Sequence, residues 1–279
     1  MNQQRSLGLI GTGNAAGSAL ARLPEFLKRL GPVKSVSLRV ASRLVNTLGA
    51  GFPVDQFEAL QRCEAIFVIV PDAQAAATIL DLASAPIAWA GKVVILSDTW
   101  LSSGTLESLS VLGAETGSVC LVDFSADSRF LMEGARPAIT EMKRLLRQDA
   151  RSLTVNPESK PLVHAALTFS ESLLFPLFAA ADECLRLAGV PYLQAGALLE
   201  GAAVRASRAY GKSGRKAWSG PLANEESYLM GRQIAALSSQ DPILAQFFVK
   251  QCARALEFFG RESAWISALQ TQDSPDLPA

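Results

Sequence analysis

Gly11-Thr12-Gly13-Asn14-Ala15-Ala16-Gly17 follows directly on the apolar run Leu7-Gly8-Leu9-Ile10. It precedes Ser18-Ala19-Leu20-Ala21-Arg22-Leu23, whose apolar residues have helical spacing. A buried strand, a glycine-rich turn and a helix in that order form the G-x-G-x-x-(G/A) pattern that cradles the pyrophosphate of a dinucleotide. Gly11 allows the tight turn, Gly13 lets the backbone come close to phosphate, and Ala16 keeps helix and strand together. Thr12, Asn14 and Ala15 complete the candidate cradle. The helix N-terminus would add unpaired N–H groups and the positive end of its dipole. A second set of polar residues lies far along the chain. Lys160 and His164 are four apart and share a helical face, and Thr168 and Glu171 continue that stripe through an otherwise apolar segment. A polar stripe on a buried helix must find partners or line a cleft. His164 is the only histidine, so any imidazole chemistry is there. The plainer alternative is that His164 and Glu171 are satisfied polar residues in a packed helix.

The sugar end of the cofactor makes a second demand. The alternation in Ser35-Val36-Ser37-Leu38-Arg39-Val40-Ala41 reads as the second strand, ending in Ser42-Arg43. A site selective for NAD places an Asp or Glu there, on the ribose hydroxyls. No acidic residue occurs between Glu25 and Asp55. A carboxylate would repel a 2′-phosphate, whereas Arg offers it a charge-assisted, two-pronged contact. The expectation is NADP(H), with Ser42 and Arg43 at the phosphate; otherwise Arg43 is a solvated residue at a helix start.

The elements that must hold these residues alternate through the first half. Ala65–Val70 is apolar on both faces, as a covered parallel strand should be, and ends at Pro71-Asp72 before a helix over 73–84. Lys92–Leu96 is another buried strand, ending in Ser97-Asp98-Thr99. Val119–Val122, Phe130–Gly134 and Ser152–Val155 read as further strands, with a helix over 138–146. Alternation of this kind predicts an α/β doubly wound parallel sheet that binds ligands at the carboxyl ends of its strands. Those ends carry Gly11, Ser42, Val70-Pro71-Asp72 and Ser97. The pattern changes at Asn156-Pro157, which sets a dinucleotide-binding domain over 1–156 and a smaller all-α domain over 157–279. Helices are expected over 159–188, 192–210, 224–237 and 242–259, with Trp265 on a short last one. Asp241-Pro242 is a start signal and Gly189 and Gly211 are stops. The tail 271–279 is expected to be disordered.

Composition narrows the partners. The 26 basic and 26 acidic side chains cancel, so neither nucleic acid nor an anionic membrane is an expected partner. Leu162–Ala181 is the longest apolar stretch, but His164, Ser170, Glu171, Ser172 and Pro176 interrupt it. A buried soluble helix fits it better than a membrane span. Cys63, Cys120, Cys184 and Cys252 form no CxxC pair, which argues against a metal site or disulfide frame and fits a reducing cytoplasm. The chain enters a strand at once, so no signal peptide is expected. Cys120 reads as a small apolar wall residue. Arg205, Arg208, Lys212, Arg215 and Lys216 read as a solvated helix end.

A nucleotide-binding half followed by a helical half resembles the 6-phosphogluconate dehydrogenase-like superfamily, with its ketopantoate and pyrroline-5-carboxylate reductases and deazaflavin-using NADP reductases. The chain more closely resembles a bacterial family with a Rossmann-like domain and a C-terminal helical domain of unknown function. The matching stretches are Gly11–Gly17, Val70-Pro71-Asp72, Gly117-Ser118, Lys160–Phe169, and Trp218-Ser219-Gly220-Pro221 with the helix after it. The resemblance implies that Lys160 takes the place of a catalytic Lys, with His164 where related dehydrogenases carry Asn four residues on. Either could hydrogen-bond a substrate carbonyl and give it a proton. It also implies a homodimer made through the helical domain.

The departures lie on the substrate side. Where the family carries His-Thr-Ser-Gly after the fifth strand, this chain has Ser97-Asp98-Thr99-Trp100. Where it carries Ser-Leu-His-Pro, this chain has Ser118-Val119-Cys120-Leu121, and Asn224-Glu225-Glu226 replaces an Arg-Gly-Asp-like segment. The resulting expectation is an NADP(H)-dependent oxidoreductase acting on a small, acidic carbonyl, imine, hydroxy or amino compound. The alternative is a sensor or pseudoenzyme that binds NADPH without turnover.

Overall fold

The computed structural model describes residues 6–123, 129–146 and 151–261. The chain divides into two compact units, Met1–Leu167 and Thr168–Ala279. In order, the first unit contains β1 (Leu7–Gly11), α1 (Pro24–Arg29), β2 (Leu30–Lys34), α2 (Leu38–Leu48), β3 (Phe52–Val54) and β4 (Ala65–Ile69). These lead into α3 (Asp72–Ala83), β5 (Val93–Ser97), α4 (Glu107–Val111), β6 (Glu115–Asp123) and β7 (Arg129–Gly134). The unit ends with α5 (Arg136–Leu146), β8 (Arg151–Thr154) and α6 (Lys160–Leu167). The strands form one sheet in the order β3-β2-β1-β4-β5-β6-β7-β8. All pairs are parallel except β6–β7. A parallel neighbour needs a long crossover, and the few residues between β6 and β7 allow only an antiparallel return. Strand order reverses between β1 and β4, which opens a crevice at their carboxyl ends.

The central strands are buried on both faces, so each supplies two cores. On β4, Phe67 and Ile69 enter the cluster with Leu7, Leu9, Phe26 and Ile95, while Ile66 and Val68 join Ile79, Leu82, Leu96 and Leu109. That is the period of two expected of a strand. Each such side chain contributes roughly 1.5–3 kcal/mol on burial. Phe26 meets Phe67 edge-on, with centroids 5.2 Å apart.

Two readings of the N-terminal third need correction. The second strand is Leu30–Lys34, not 35–41, and Ser42-Arg43 lies in the second turn of α2. Ser37 caps α2 by accepting the Val40 N–H, and Ala41 and Leu44 are buried at helical spacing. The apparent alternation was a capped amphipathic helix. The true strand hid behind Gly31-Pro32, which reads as a breaker, and the three-residue β3 has too little pattern to show. Nor does a regular helix follow the glycine turn. Gly13–Gly17 and Leu20–Arg22 are 3-10 turns, and α1 begins at Pro24. Ser18 Oγ accepts the Leu20 N–H at 3.1 Å, and Leu23 is extended. The residue before a proline is pushed out of the helical region, so the helix cannot run through Leu23-Pro24.

The second unit contains α7 (Leu174–Leu187), α8 (Tyr192–Ser213), α9 (Ser227–Gln240) and α10 (Pro242–Phe258). Among the described residues no strand follows β8. Asp241 caps α10 by accepting the Ile243 and Leu244 N–H groups. Gly189 stands at a helix end with φ +77°. Gly211 does not end α8, which runs to Ser213 and stops at Gly214 with φ +56°. The helix expected over 159–188 is interrupted. Thr168–Ser172 is a π turn closed by the Leu173 N–H on the Thr168 carbonyl, and it parts α6 from α7. Nor is this segment buried within one chain, since Leu162, Phe169 and Phe175 are each at least 70% exposed. By length and composition Pro157–Leu187 is apolar enough to cross a membrane. Trp265 and the tail 271–279 lie outside the described residues.

Candidate functional site

The glycine turn sits at the carboxyl end of β1, where the strand order reverses. A Cβ on Gly11 would stand 2.8 Å from Ala15 Cβ and 3.2 Å from Leu44, so only glycine fits. A Cβ on Gly13 would meet nothing within 4 Å. Gly13 and Asn14 are exposed, Thr12 and Ala16 are half-buried, and Ala15 is buried. The close packing expected of Ala16 therefore falls to Ala15. The Thr12 N–H bonds the Ile69 carbonyl at 3.3 Å and ties the turn to β4. Ser35 Oγ bonds the Gly11 carbonyl and ties it to the end of β2. With a five-residue 3-10 turn in place of a helix, exposed backbone N–H groups rather than an aligned macrodipole would face an anion.

Val70 is buried and Pro71-Asp72 is exposed at the end of β4. Ser97 closes β5, and among the described residues its buried Oγ has no hydrogen-bond partner. Ser42 donates its hydroxyl to the Leu38 carbonyl at 2.8 Å within α2. Arg43 is exposed, one helical turn beyond exposed Arg39. The segment that leaves β2 is thus Ser35-Val36-Ser37, and Arg39 is the first cation after it. Sequence reasoning passed over Arg39 because the strand was read in the wrong place.

At the β5 end the site is built from side chains. Lys160, the first residue of α6, is 0% exposed. Its Nζ donates to the Thr99 carbonyl at 2.9 Å, the Leu101 carbonyl at 2.6 Å and Ser118 Oγ at 2.6 Å. An ammonium has three N–H bonds, so all are used. Ser118 on β6 donates in turn to Glu133 on β7, also 0% exposed. Glu133 also accepts the Ser103 N–H at 2.7 Å and hydroxyl at 2.6 Å. Burial holds the Lys160 ammonium below its ordinary pKa, partly offset by the charges of Glu133 and Asp72. The network fixes the Thr99–Ser103 segment from both ends. Thr99 Oγ1 adds a bond to Asp72 at 2.5 Å and accepts the Leu101 N–H at 3.0 Å.

The same segment carries Trp100, whose ring stacks on His164 with centroids 4.1 Å apart and planes 4° apart. His164 is exposed, so it can reach a bound molecule; Lys160 reaches only protein acceptors. Cys120, beside the network on β6, is buried, and burial pushes its thiol up to about 11, which leaves it neutral and unreactive. Glu133, Ser118 and Trp100 had been given no role from sequence. A lone carboxylate in the apolar run Phe130-Leu131-Met132-Glu133 was the available signal, because a buried charge must be paired.

Residues 128–254 match the family described as a domain of unknown function, DUF2520. A search of curated protein sequences finds no match to this chain. Solved structures share this fold. An imine reductase from Myxococcus stipitatus, a V8 variant in complex with NAD+, is 16% identical with a TM-score of 0.68, over 96% of this chain and 99% of that one. Protein TM1727 from Thermotoga maritima is 16% identical with a TM-score of 0.64, over 91% and 100%. A reductive aminase from Aspergillus terreus, in complex with NADPH and ethyl levulinate, is 17% identical with a TM-score of 0.57, over 96% and 92%. At these identities the likeness is one of fold: a Rossmann-like, mostly parallel sheet followed by a helical region.

Proposed function

We propose that this chain is an NADP(H)-dependent oxidoreductase. The carrying observation is the glycine turn at the strand-order reversal, tightly packed at Gly11 and open at Gly13. Thr12–Ala16 would line the pyrophosphate, with the N–H groups of exposed Gly13 and Asn14 at the start of the 3-10 turn facing it and Val70-Pro71-Asp72 and Ser97 along the neighbouring strand ends. Arg43, and Arg39 one turn nearer β2, would take the 2′-phosphate, and no carboxylate stands near them in sequence to repel it. A bound nicotinamide supplies or accepts the hydride, the chemistry that the protein itself lacks. NADP- and NAD-bound proteins among the structural neighbours support this reading.

The substrate is a small carbonyl or imine, or the matching hydroxy or amino compound, with an acidic group. His164 can hydrogen-bond it, and Trp100 fixes the imidazole plane. Lys160 acts through the Thr99–Leu101 backbone that it holds. The saturation of Lys160 by protein acceptors also favours a second reading, a sensor that binds NADPH without turnover. Thermal unfolding with NADPH and NADH, followed by NADPH oxidation over a panel of cyclic imines and 2-oxo acids, separates the two. A melting shift and turnover support the enzyme; a shift without turnover supports the sensor; no shift with either nucleotide overturns both.

The exposed apolar faces of α6 and α7 support a homodimer of the helical region. Light scattering at micromolar concentration should give twice the chain mass. The thiols, unpaired in the structure, suit a reducing cytoplasm.

A further inference from the structure

Among the described residues only Asp98 and Glu225 are non-glycine residues in the left-handed region, with φ of +54° and +56°. Asp98 immediately follows β5, between buried Ser97 and buried Thr99, and is itself exposed. Its N–H is pinned to the Val119 carbonyl at 2.9 Å, which holds the conformation. Ser18 and Ala19, just past the glycine turn, lie near enough to its carboxyl to favour the charged form. Two nearby candidates for donating a proton are spent. Lys160 has three protein acceptors, and Glu133 is sealed beneath Ser103 and Ser118. Backbone strain of this kind persists where the surrounding structure over-determines it, and it collects at sites of function.

The geometry points to Asp98 as the proton donor of the reaction, with His164 orienting the substrate. This inference rests on the oxidoreductase reading. As the carbon of a C=O or C=N bond gains a hydride from the reduced nicotinamide, its oxygen or nitrogen takes the Asp98 proton. The carboxyl O–H breaks, an O–H or N–H forms, and the carboxylate left behind is reprotonated from water, to which Asp98 is open. Partial burial of the carboxyl raises its pKa above the ordinary value, against Ser18 and Ala19, which favour the charge. The charged and titratable groups around the site are Asp72 on α3, Cys120 on β6, Glu133 on β7 and Lys160 on α6. The raised pKa brings the acid toward working pH, as general-acid catalysis requires.

A structural cap and a catalytic acid respond oppositely to Asp98→Asn, which keeps the acceptor oxygen and tolerates left-handed φ. A carboxyl whose pKa is raised on folding binds its proton more tightly in the native state than in the unfolded chain. Stability therefore falls as pH rises from the unfolded value near 3.8 through the raised one. In the protein without cofactor, Asp98→Asn should lack that loss and melt higher at pH 7. Asp98→Gly, free of the φ strain, should melt higher too. Turnover of the panel compound reduced fastest should fall roughly 10²–10⁴-fold in Asp98→Asn, with the NADPH melting shift kept. A lower melting temperature for Asp98→Asn, or unchanged turnover, overturns the inference and leaves the oxidoreductase reading standing. No NADPH oxidation by the unaltered protein over the panel retires both.

Discussion

The β1 end and the β5 end of one sheet build their parts of the candidate site in opposite ways. At β1 the work is done by the absence of side chains. Gly11 gives way to Ala15, Gly13 leaves open space, and the residues that matter lie within seven positions of one another. At β5 the work is done by side chains brought from far away. Lys160 reaches back 61 residues to Thr99 and 42 to Ser118, and Glu133 lies 30 beyond Ser103. An open turn made by backbone can be lost without harm to the fold. A buried lysine and carboxylate bridged by Ser118 cannot, because removing one charge leaves the other uncompensated.

That difference sets the first and largest expectation. Lys160→Met keeps the stem but strands two carbonyls and removes the cation that Ser118 bridges to Glu133, so it should destabilise the fold by about 3–5 kcal/mol. Chemical denaturation of the full chain measures it. A loss below about 1 kcal/mol would mean that the network contributes little and that Lys160 is spare for chemistry.

The converse test is Gly13→Val. It should weaken NADPH binding more than about 100-fold, or about 2.7 kcal/mol, with little change in melting temperature, because its side chain enters only open space. Gly11→Ala should instead cost stability, since its Cβ meets Ala15 at 2.8 Å. Titration of NADPH into both variants, beside their melting curves, would break the contrast if the effects were exchanged.

Burial also distinguishes the thiols. Those of Cys120, beside the network, and Cys252, in α10, are pushed up to about 11 from 9.0. The folded state then holds protons that the unfolded chain has released, and stability falls as pH rises from 9 through 11. Each thiol should account for on the order of 1–3 kcal/mol over that window. Cys120→Ala and Cys252→Ala should each flatten the alkaline limb of the melting profile; an unchanged limb would place these thiols in contact with water.

The smallest effect belongs to the exposed cations. Arg43→Ala and Arg39→Ala should each weaken NADPH binding roughly 10-fold or more and leave NADH binding unaltered. The larger loss should identify the residue that meets the 2′-phosphate. Equal binding of NADH and NADPH by the unaltered protein would remove that role from both.

Residue order alone determined the glycine turn, the alternating strands β4 to β8, the capped start of α10 and the change to helices after Asn156. Each is a local property, a spacing or a cap that does not depend on what packs against it. Local pattern failed at β2, where Ser37-Leu38-Arg39-Val40 supports an alternating strand and a capped helix equally, and pairing of Val33 with β1 decided between them. It failed again at Leu23-Pro24, where the proline ended a helix that its periodicity had promised. Lys160 and His164 were visible as neighbours on one face, but their different fates were not. Only the folded sheet places Lys160 beneath Thr99 and Leu101 and lays His164 on Trp100. It likewise holds Asp98 in a left-handed conformation through a bond to Val119 on the adjacent strand. Burial and the saturation of donors depend on atoms distant in the chain, and these set which side chains the protein itself occupies and which stay open to solvent.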